Sequence, residues 1–141
     1  MFTVLCVDND HEQLKFLKQL FSTQSQFRLL GEAHDGGEAI AHAIMLKPDI
    51  VLMDLAMSRL SDFAAARNIK NFLSQTVIVM MTMKSQIRYQ TTALENGADA
   101  FVCKAYLGTD LFPILRSVAE PRGHIESSGF NFDQRRCKPL L

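Results

Sequence analysis

The fold of this chain is decided by a short apolar run that ends in an acid, Asp49-Ile50-Val51-Leu52-Met53-Asp54. Apolar residues without alternation are typical of a strand covered on both faces, as in a parallel sheet. Asp54 would then lie at the carboxyl end of a buried strand. In open α/β sheets that edge is where ligands bind. The run therefore predicts a functional carboxylate at Asp54.

Three further apolar runs are also followed by polar or charged side chains that could take part in binding or catalysis. Residues 3–7 are followed by Asp8, residues 76–81 by Thr82, and residues 100–103 by Lys104. If the four strands are parallel neighbours, two acids, a hydroxyl and an ammonium converge on one edge of one sheet. The sequence therefore predicts a single polar site there.

The whole pattern alternates strand and helix five times. Strands are predicted at about residues 2–7, 27–33, 49–54, 76–81 and 100–104. Helices are predicted after the first two strands and at about residues 61–72, 85–96 and 109–119. Right-handed crossovers then give an α/β fold, a doubly wound parallel sheet with helices on both faces. We expect one domain over residues 1–119 and a tail or linker over 120–141, with no second domain.

Composition limits the function classes. The chain has 141 residues, 48% of them apolar and 21% charged, with a formal net charge of zero. These values fit a globular protein and give no basic footprint for nucleic acid. No apolar stretch approaches the roughly 20 residues that span a bilayer. We see no signal peptide and expect a cytoplasmic protein without direct nucleic-acid or membrane binding.

Two residue types support a reduced protein with an aromatic core. The odd set of cysteines, Cys6, Cys103 and Cys137, predicts free thiols. Several phenylalanines are predicted to pack in the core: Phe2, Phe16, Phe21, Phe63 and Phe72.

The ordered motifs resemble the receiver domain of bacterial two-component response regulators. The resemblance is carried by Val7-Asp8-Asn9, by 51–57, by Met81-Thr82 and by 97–104, all in order and each at a strand end. It covers about residues 2–119. It implies a flavodoxin-like fold with sheet order 2-1-3-4-5, which agrees with the alternating pattern.

The resemblance also implies a role for each matched residue. Asp54 looks like the phosphoacceptor for a histidine kinase or phosphotransfer protein, and Thr82 and Lys104 look like the groups that meet the phosphoryl oxygens. Phe101 falls where the family has a switch aromatic. The Mg²⁺ ligands would be Asp8, Asn9 as a weak ligand, Asp54 and the backbone carbonyl of Ala56. Such a regulator is not a metabolic enzyme and at most catalyses its own phosphorylation and dephosphorylation.

Chemistry supports these roles independently of the family. A carboxylate such as Asp54 can attack phosphorus and form a covalent intermediate. The charge on the transferred group needs a divalent cation and a lysine nearby. Mg²⁺ prefers oxygen ligands, which Asp8 and Asp54 would supply.

Three of the departures from the family pattern bear most directly on the site. Asn9 replaces a second acid, which lowers the expected metal affinity, and Asp10 is expected to compensate in part. Met83 replaces a small residue and is expected to crowd the phosphoryl pocket. Ala105 replaces a proline, so the Lys104–Ala105 bond is expected to be trans, because a non-proline cis bond costs about 2.5–4 kcal/mol.

Three functions remain open from the sequence. The first is a phosphorylation-controlled switch whose changing surface, helix 4, strand 5 and helix 5, binds a protein partner or a second copy. The second is a pseudo-receiver, a phosphorylation-independent interaction module, which the three departures favour. The third is a flavin- or nucleotide-binding protein, which the acidic loop after the first strand disfavours.

Overall fold

Strands and helices alternate in the computed structural model, which describes residues 1–55, 59–83 and 88–120. The strands are β1 (Phe2–Val7), β2 (Phe27–Ala33), β3 (Ile50–Asp54), β4 (Val77–Thr82) and β5 (Ala100–Cys103). The helices are α1 (His11–Phe21), α2 (Gly36–Leu46), α3 (Arg59–Phe72), α4 (Gln90–Glu95) and α5 (Leu107–Ala119). A 3₁₀ turn, Lys104–Tyr106, joins β5 to α5.

The strands form one parallel sheet in the order β2-β1-β3-β4-β5. The predicted fold class and strand order are therefore confirmed. The order reverses direction between β1 and β3, which places a topological switch point beside the ends of these two strands. Asp8 and Asp54 lie at these ends.

Each face of the sheet carries its own apolar layer, because successive side chains of a strand point to opposite faces. Val4, Cys6 and Leu52 lie on the face covered by α1 and α5. Leu5, Val7 and Met53 lie on the face covered by α2, α3 and α4. Helices on both faces explain why β3 reads as an unbroken apolar run, since all five of its residues are buried.

Element boundaries differ from the predicted ones by one to five residues. Thr82 is the last residue of β4 rather than the one after it, and Lys104 follows β5 instead of ending it. Helix α5 begins at Leu107, two residues early. Of the predicted helix 4, residues 85–87 lie outside the described residues, and α4 runs from Gln90 to Glu95.

Two helix boundaries have clear physical causes. Asp10 caps α1, since its Oδ1 accepts a hydrogen bond from the Glu12 N–H at 3.0 Å. Gly97 follows α4 with φ +107°, a conformation that L side chains rarely adopt. Glycine adopts this conformation without steric cost, which suits it to the position just after a helix end.

The expected aromatic core is only partly correct. Phe21 is buried, but Phe16 is 43% exposed and Phe72 is 67% exposed. Phe16 points away from the buried face of α1, which is formed by Leu14, Leu17 and Phe21. Phe72 is the last residue of α3, where the helix leaves the sheet.

The cysteine prediction holds for one residue and fails for another. Cys6 is a free, buried thiol, and burial raises its pKa far above the ordinary value. Cys103 is disulfide-bonded, so the prediction of a free thiol is wrong there. Cys137, like the rest of the predicted tail from residue 121, lies outside the described residues.

No helix in the described part of the chain is long and apolar enough to cross a membrane.

Candidate functional site

Four predicted site residues lie together at the carboxyl edge of the sheet. Asp8 directly follows β1, Asp54 ends β3, Thr82 ends β4, and Lys104 follows β5. These four strands are consecutive neighbours in the sheet. The topology therefore brings together side chains that are up to 96 positions apart in the chain.

Lys104 contacts both acids of the site. Its Nζ lies 2.8 Å from Asp54 Oδ1 and 3.4 Å from Asp8 Oδ2. The side chain of Asp8 is fully buried and that of Asp54 is 1% exposed, whereas Lys104 is 18% exposed. One ammonium thus faces two buried carboxylates.

The surroundings of Asp8 disfavour its charged form. Burial is the largest cause that raises the pKa of Asp8, and the neighbouring Asp54 charge raises it further. A hydrogen bond from the Asp10 N–H to Asp8 Oδ1, at 2.9 Å, acts in the opposite direction, as does Lys104. Asp8 Oδ2 has no hydrogen-bond partner among the described residues.

These features fit a hard divalent cation. Mg²⁺ takes oxygen ligands, typically one or two carboxylates with water and phosphate oxygens. Asp8 Oδ2, which has an ion-pair contact but no hydrogen bond among the described residues, and the nearby carboxylate of Asp54 are such oxygens. In the described parts of the chain no three His, Cys, Asp or Glu side chains form a metal cluster. The predicted carbonyl ligand, Ala56, lies outside the described residues.

The two residues after Asp8 are exposed to solvent, unlike the two buried acids. Asn9 and Asp10 are both exposed at the start of α1. Asp10 Oδ1 is occupied by the N-cap hydrogen bond to the Glu12 N–H. The carboxylate of Asp10 is therefore tied to the helix end, which weakens the expectation that it compensates for Asn9.

The remaining predicted site residues differ in their burial. Thr82 is fully buried at the end of β4, where it pairs in register with Cys103. Phe101 is 2% exposed and packs in the layer under α2, α3 and α4. Met83 is 49% exposed, so its side chain is only partly withdrawn from solvent.

The Lys104–Ala105 bond is trans, as predicted from Ala105, since no described peptide bond is cis. Lys104 nevertheless reaches Asp54 from the first position of the 3₁₀ turn. A proline after the lysine is therefore not needed to aim the ammonium at the acids.

Sequence reasoning missed two contacts near this edge. It did not anticipate that Lys104 would also contact Asp8, because residue spacing gives no signal of which acid a long side chain reaches. It also assigned no site to His34, whose Nδ1 lies 3.1 Å from Glu38 Oε1 and whose ring centroid lies 5.1 Å from that of His11.

Comparison with known families identifies the chain. Residues 4–116 match the model of the response regulator receiver domain. The chain therefore belongs to the response regulator receiver family, a class of two-component signalling domains.

Individual relatives agree with this assignment. The response regulator protein VraR of Staphylococcus aureus is 36% identical over 117 residues, which are 82% of this chain and 56% of VraR. The chain thus spans about half the length of the curated relatives it matches.

Solved structures show the same fold. The response regulator domain of Thermotoga maritima CheB superposes with a TM-score of 0.76 at 28% identity, covering 86% of this chain and 99% of that one. A LuxR-family two-component response regulator from Aurantimonas sp. superposes with a TM-score of 0.78 at 24% identity, covering 84% and 85%. At that lower identity the second likeness concerns the fold alone.

Proposed function

We propose that this chain is a phosphorelay receiver that accepts a phosphoryl group on Asp54 from a histidine kinase or phosphotransfer protein. The observation that carries the proposal is the pair of short distances from one ammonium, Lys104, to two buried acids, Asp54 and Asp8. A buried cluster of this kind is costly to a fold unless it is used or compensated.

The transfer itself requires little from the protein besides position and charge. An Asp54 oxygen attacks phosphorus, the new P–O bond forms, and the P–N bond to the donor imidazole breaks. The leaving imidazole nitrogen takes a proton. Lys104, 2.8 Å from Asp54 Oδ1, holds the carboxylate in place and offsets charge on the phosphoryl oxygens.

Mg²⁺ is the proposed cofactor. When bound, it would neutralise charge on the donor phosphate and on the acids. Asp8 and Asp54 would hold it through carboxylate oxygens, with the carbonyl of Ala56 as a third protein ligand and Asn9 as a weak one. The uncharged Asn9 supports a metal affinity below that of a receiver with two acids at positions 8 and 9.

The proposed output is a change of the surface formed by α4, β5 and α5. Thr82 is proposed to turn toward the phosphoryl oxygens, and Phe101 to move with it. This surface would bind a downstream protein or a second copy of the chain. We propose a receiver domain over residues 1–119 in a cytoplasmic protein, with 120–141 as a tail or linker and no direct contact with nucleic acid or membrane.

The test is addition of Mg²⁺ and beryllofluoride, a stable mimic of the phosphoryl group, followed by amide NMR. Saturable shifts at Asp54, Thr82, Phe101 and Lys104 are expected. In parallel, acetyl phosphate with Mg²⁺ should label the wild type but not Asp54→Ala. Equal labelling of both proteins would overturn the assignment of Asp54.

A second function, the pseudo-receiver, is favoured by one specific observation. The residue at position 9 carries no charge, and the nearest substitute, Asp10, is occupied as a helix cap. A pseudo-receiver would keep the fold and bind its partner without phosphate. Magnesium titration separates the two, because the phosphorelay model requires saturable Mg²⁺ shifts at Asp8 and Asp54.

A further inference from the structure

A basic cleft lies at the end of the sheet opposite Asp54. It has a volume of about 470 Å³ and lies between the last turn of α1 and the start of β2. Its lining residues are Met1, Lys18, Phe21, Ser22, Gln24, Ser25, Phe27, Arg28 and Leu29. The proposed phosphorylation chemistry uses none of them.

The charge of the cleft has one sign. Lys18 and Arg28 are both exposed, and no acidic residue lines the cleft. Neither cation forms an ion pair with another described residue. Lys18 lies in the last turn of α1, where a cation stabilises the helix dipole, but Arg28 on β2 has no such structural partner.

The floor of the cleft is apolar and well packed. Phe21 and Phe27 are buried, and their rings pack against each other and against Phe112, with centroids 5.2 to 6.5 Å apart. Met1, by contrast, is 80% exposed on the rim. The lining of the cleft thus combines apolar residues with two exposed cations, Lys18 and Arg28.

The cleft adjoins an open sheet edge. β2 is the first strand in the order, and among the described strands it pairs only with β1. Its outer edge therefore presents backbone N–H and C=O groups that can pair with an added strand. Strand addition gives affinity through the backbone, and neighbouring pockets give specificity through side chains.

We propose that this cleft and the outer edge of β2 bind an acidic peptide segment of a partner protein, which adds to the sheet beside β2. Carboxylates of the peptide pair with Lys18 and Arg28, and an apolar side chain lies over Phe21 and Phe27. A small molecule fits the observations less well, because small-molecule sites enclose most of the ligand, whereas both cations here lie exposed on the rim.

The test is selection of a random peptide library against the immobilised protein. Binders are expected to be enriched in Asp and Glu with an apolar residue between them. A synthetic peptide of the selected sequence should shift the amides of β2 and of residues 18–25. Its affinity should fall about tenfold or more in the Lys18→Glu, Arg28→Glu variant, because like charges then face each other.

A matched control keeps the net charge the same. Lys15→Glu with Arg67→Glu changes two exposed cations that do not line the cleft, and this variant should bind the peptide as the wild type does. Selected peptides without acidic enrichment, or equal loss of binding in both variants, would overturn the proposal. The beryllofluoride response should remain intact in both variants, which separates this proposal from the phosphorelay one.

Discussion

Lys104 Nζ lies 2.8 Å from Asp54 Oδ1 at the carboxyl edge of the sheet. Both partners are largely shielded from water, since Asp54 is 1% and Lys104 18% exposed. The contact therefore links folding stability and the proposed chemistry, because in the proposed mechanism the same ammonium would balance the acids before phosphorylation and the phosphate after it.

Lys104→Met should destabilise the fold at neutral pH. Removal of one partner from a largely buried pair leaves uncompensated charge, and we expect a loss of about 1–3 kcal/mol in the free energy of unfolding. The loss should shrink in acid as Asp8 takes up a proton. Urea unfolding at pH 7 and at pH 4.5 measures both values. The solvent-exposed Lys15→Met provides the control, and identical effects of the two substitutions at pH 7 would contradict the prediction.

Asp8→Asn should stabilise the metal-free fold at neutral pH. The pKa of Asp8 is raised above its ordinary value of 3.8, chiefly by burial. The stability that this group contributes is therefore full below that ordinary value and is lost as pH rises through the raised native value. Asn has no carboxyl group to ionise, so it does not lose stability in this way. The free energy of unfolding of the variant should therefore exceed that of the wild type by a larger amount as the pH rises.

We expect a gain on the order of 1 kcal/mol at pH 7, measured by urea unfolding in the presence of a chelator. The same variant should lose the stabilisation that Mg²⁺ gives the wild type, which is about 1.4 kcal/mol at a concentration ten times the Kd. A variant that is less stable than the wild type at pH 7, or that still responds to Mg²⁺, would refute this account of Asp8.

Asn9→Asp should tighten Mg²⁺ binding. A second carboxylate beside Asp8 adds a full negative charge to the oxygen donors, and we expect about a five- to tenfold lower Kd. The dependence of Tm on Mg²⁺ concentration measures it. Asn68→Asp, an exposed change on α3, controls for net charge. Equal Mg²⁺ affinity in wild type and Asn9→Asp would show that position 9 does not face the cation.

Gly97→Ala should destabilise the fold and Gly108→Ala should not. Gly97 has φ +107°, and a Cβ there would lie 2.7 Å from Lys70 Cγ. We expect a cost of about 1–3 kcal/mol. Gly108 lies in α5, where an added Cβ meets nothing within 4 Å, so alanine should stabilise by about 0.5–1 kcal/mol. Thermal unfolding of both variants tests the pair. A Gly97→Ala variant at least as stable as the wild type would contradict the predicted strain at Gly97.

The sequence by itself determined the alternating α/β pattern and the residues that end the strands, and the family resemblance implied the strand order. Apolar runs such as 49–54 are uninterrupted because both faces of the sheet are covered, and this lack of alternation identifies them without any knowledge of contacts. The alternation with helices then leaves few topologies, since crossovers are right-handed. Asp8, Asp54, Thr82 and Lys104 could therefore be predicted to share one edge.

Only the tertiary structure decided how these residues interact. Lys104 contacts both acids, Asp8 Oδ2 lacks a hydrogen-bond partner among the described residues, and Asp10 serves α1 as a cap. None of these follows from spacing, because each depends on rotamers and on distances between segments far apart in the chain. The exposure of Phe16 and Phe72 could not be predicted for the same reason. Whether a hydrophobic side chain is buried depends on which other segments of the chain pack against it.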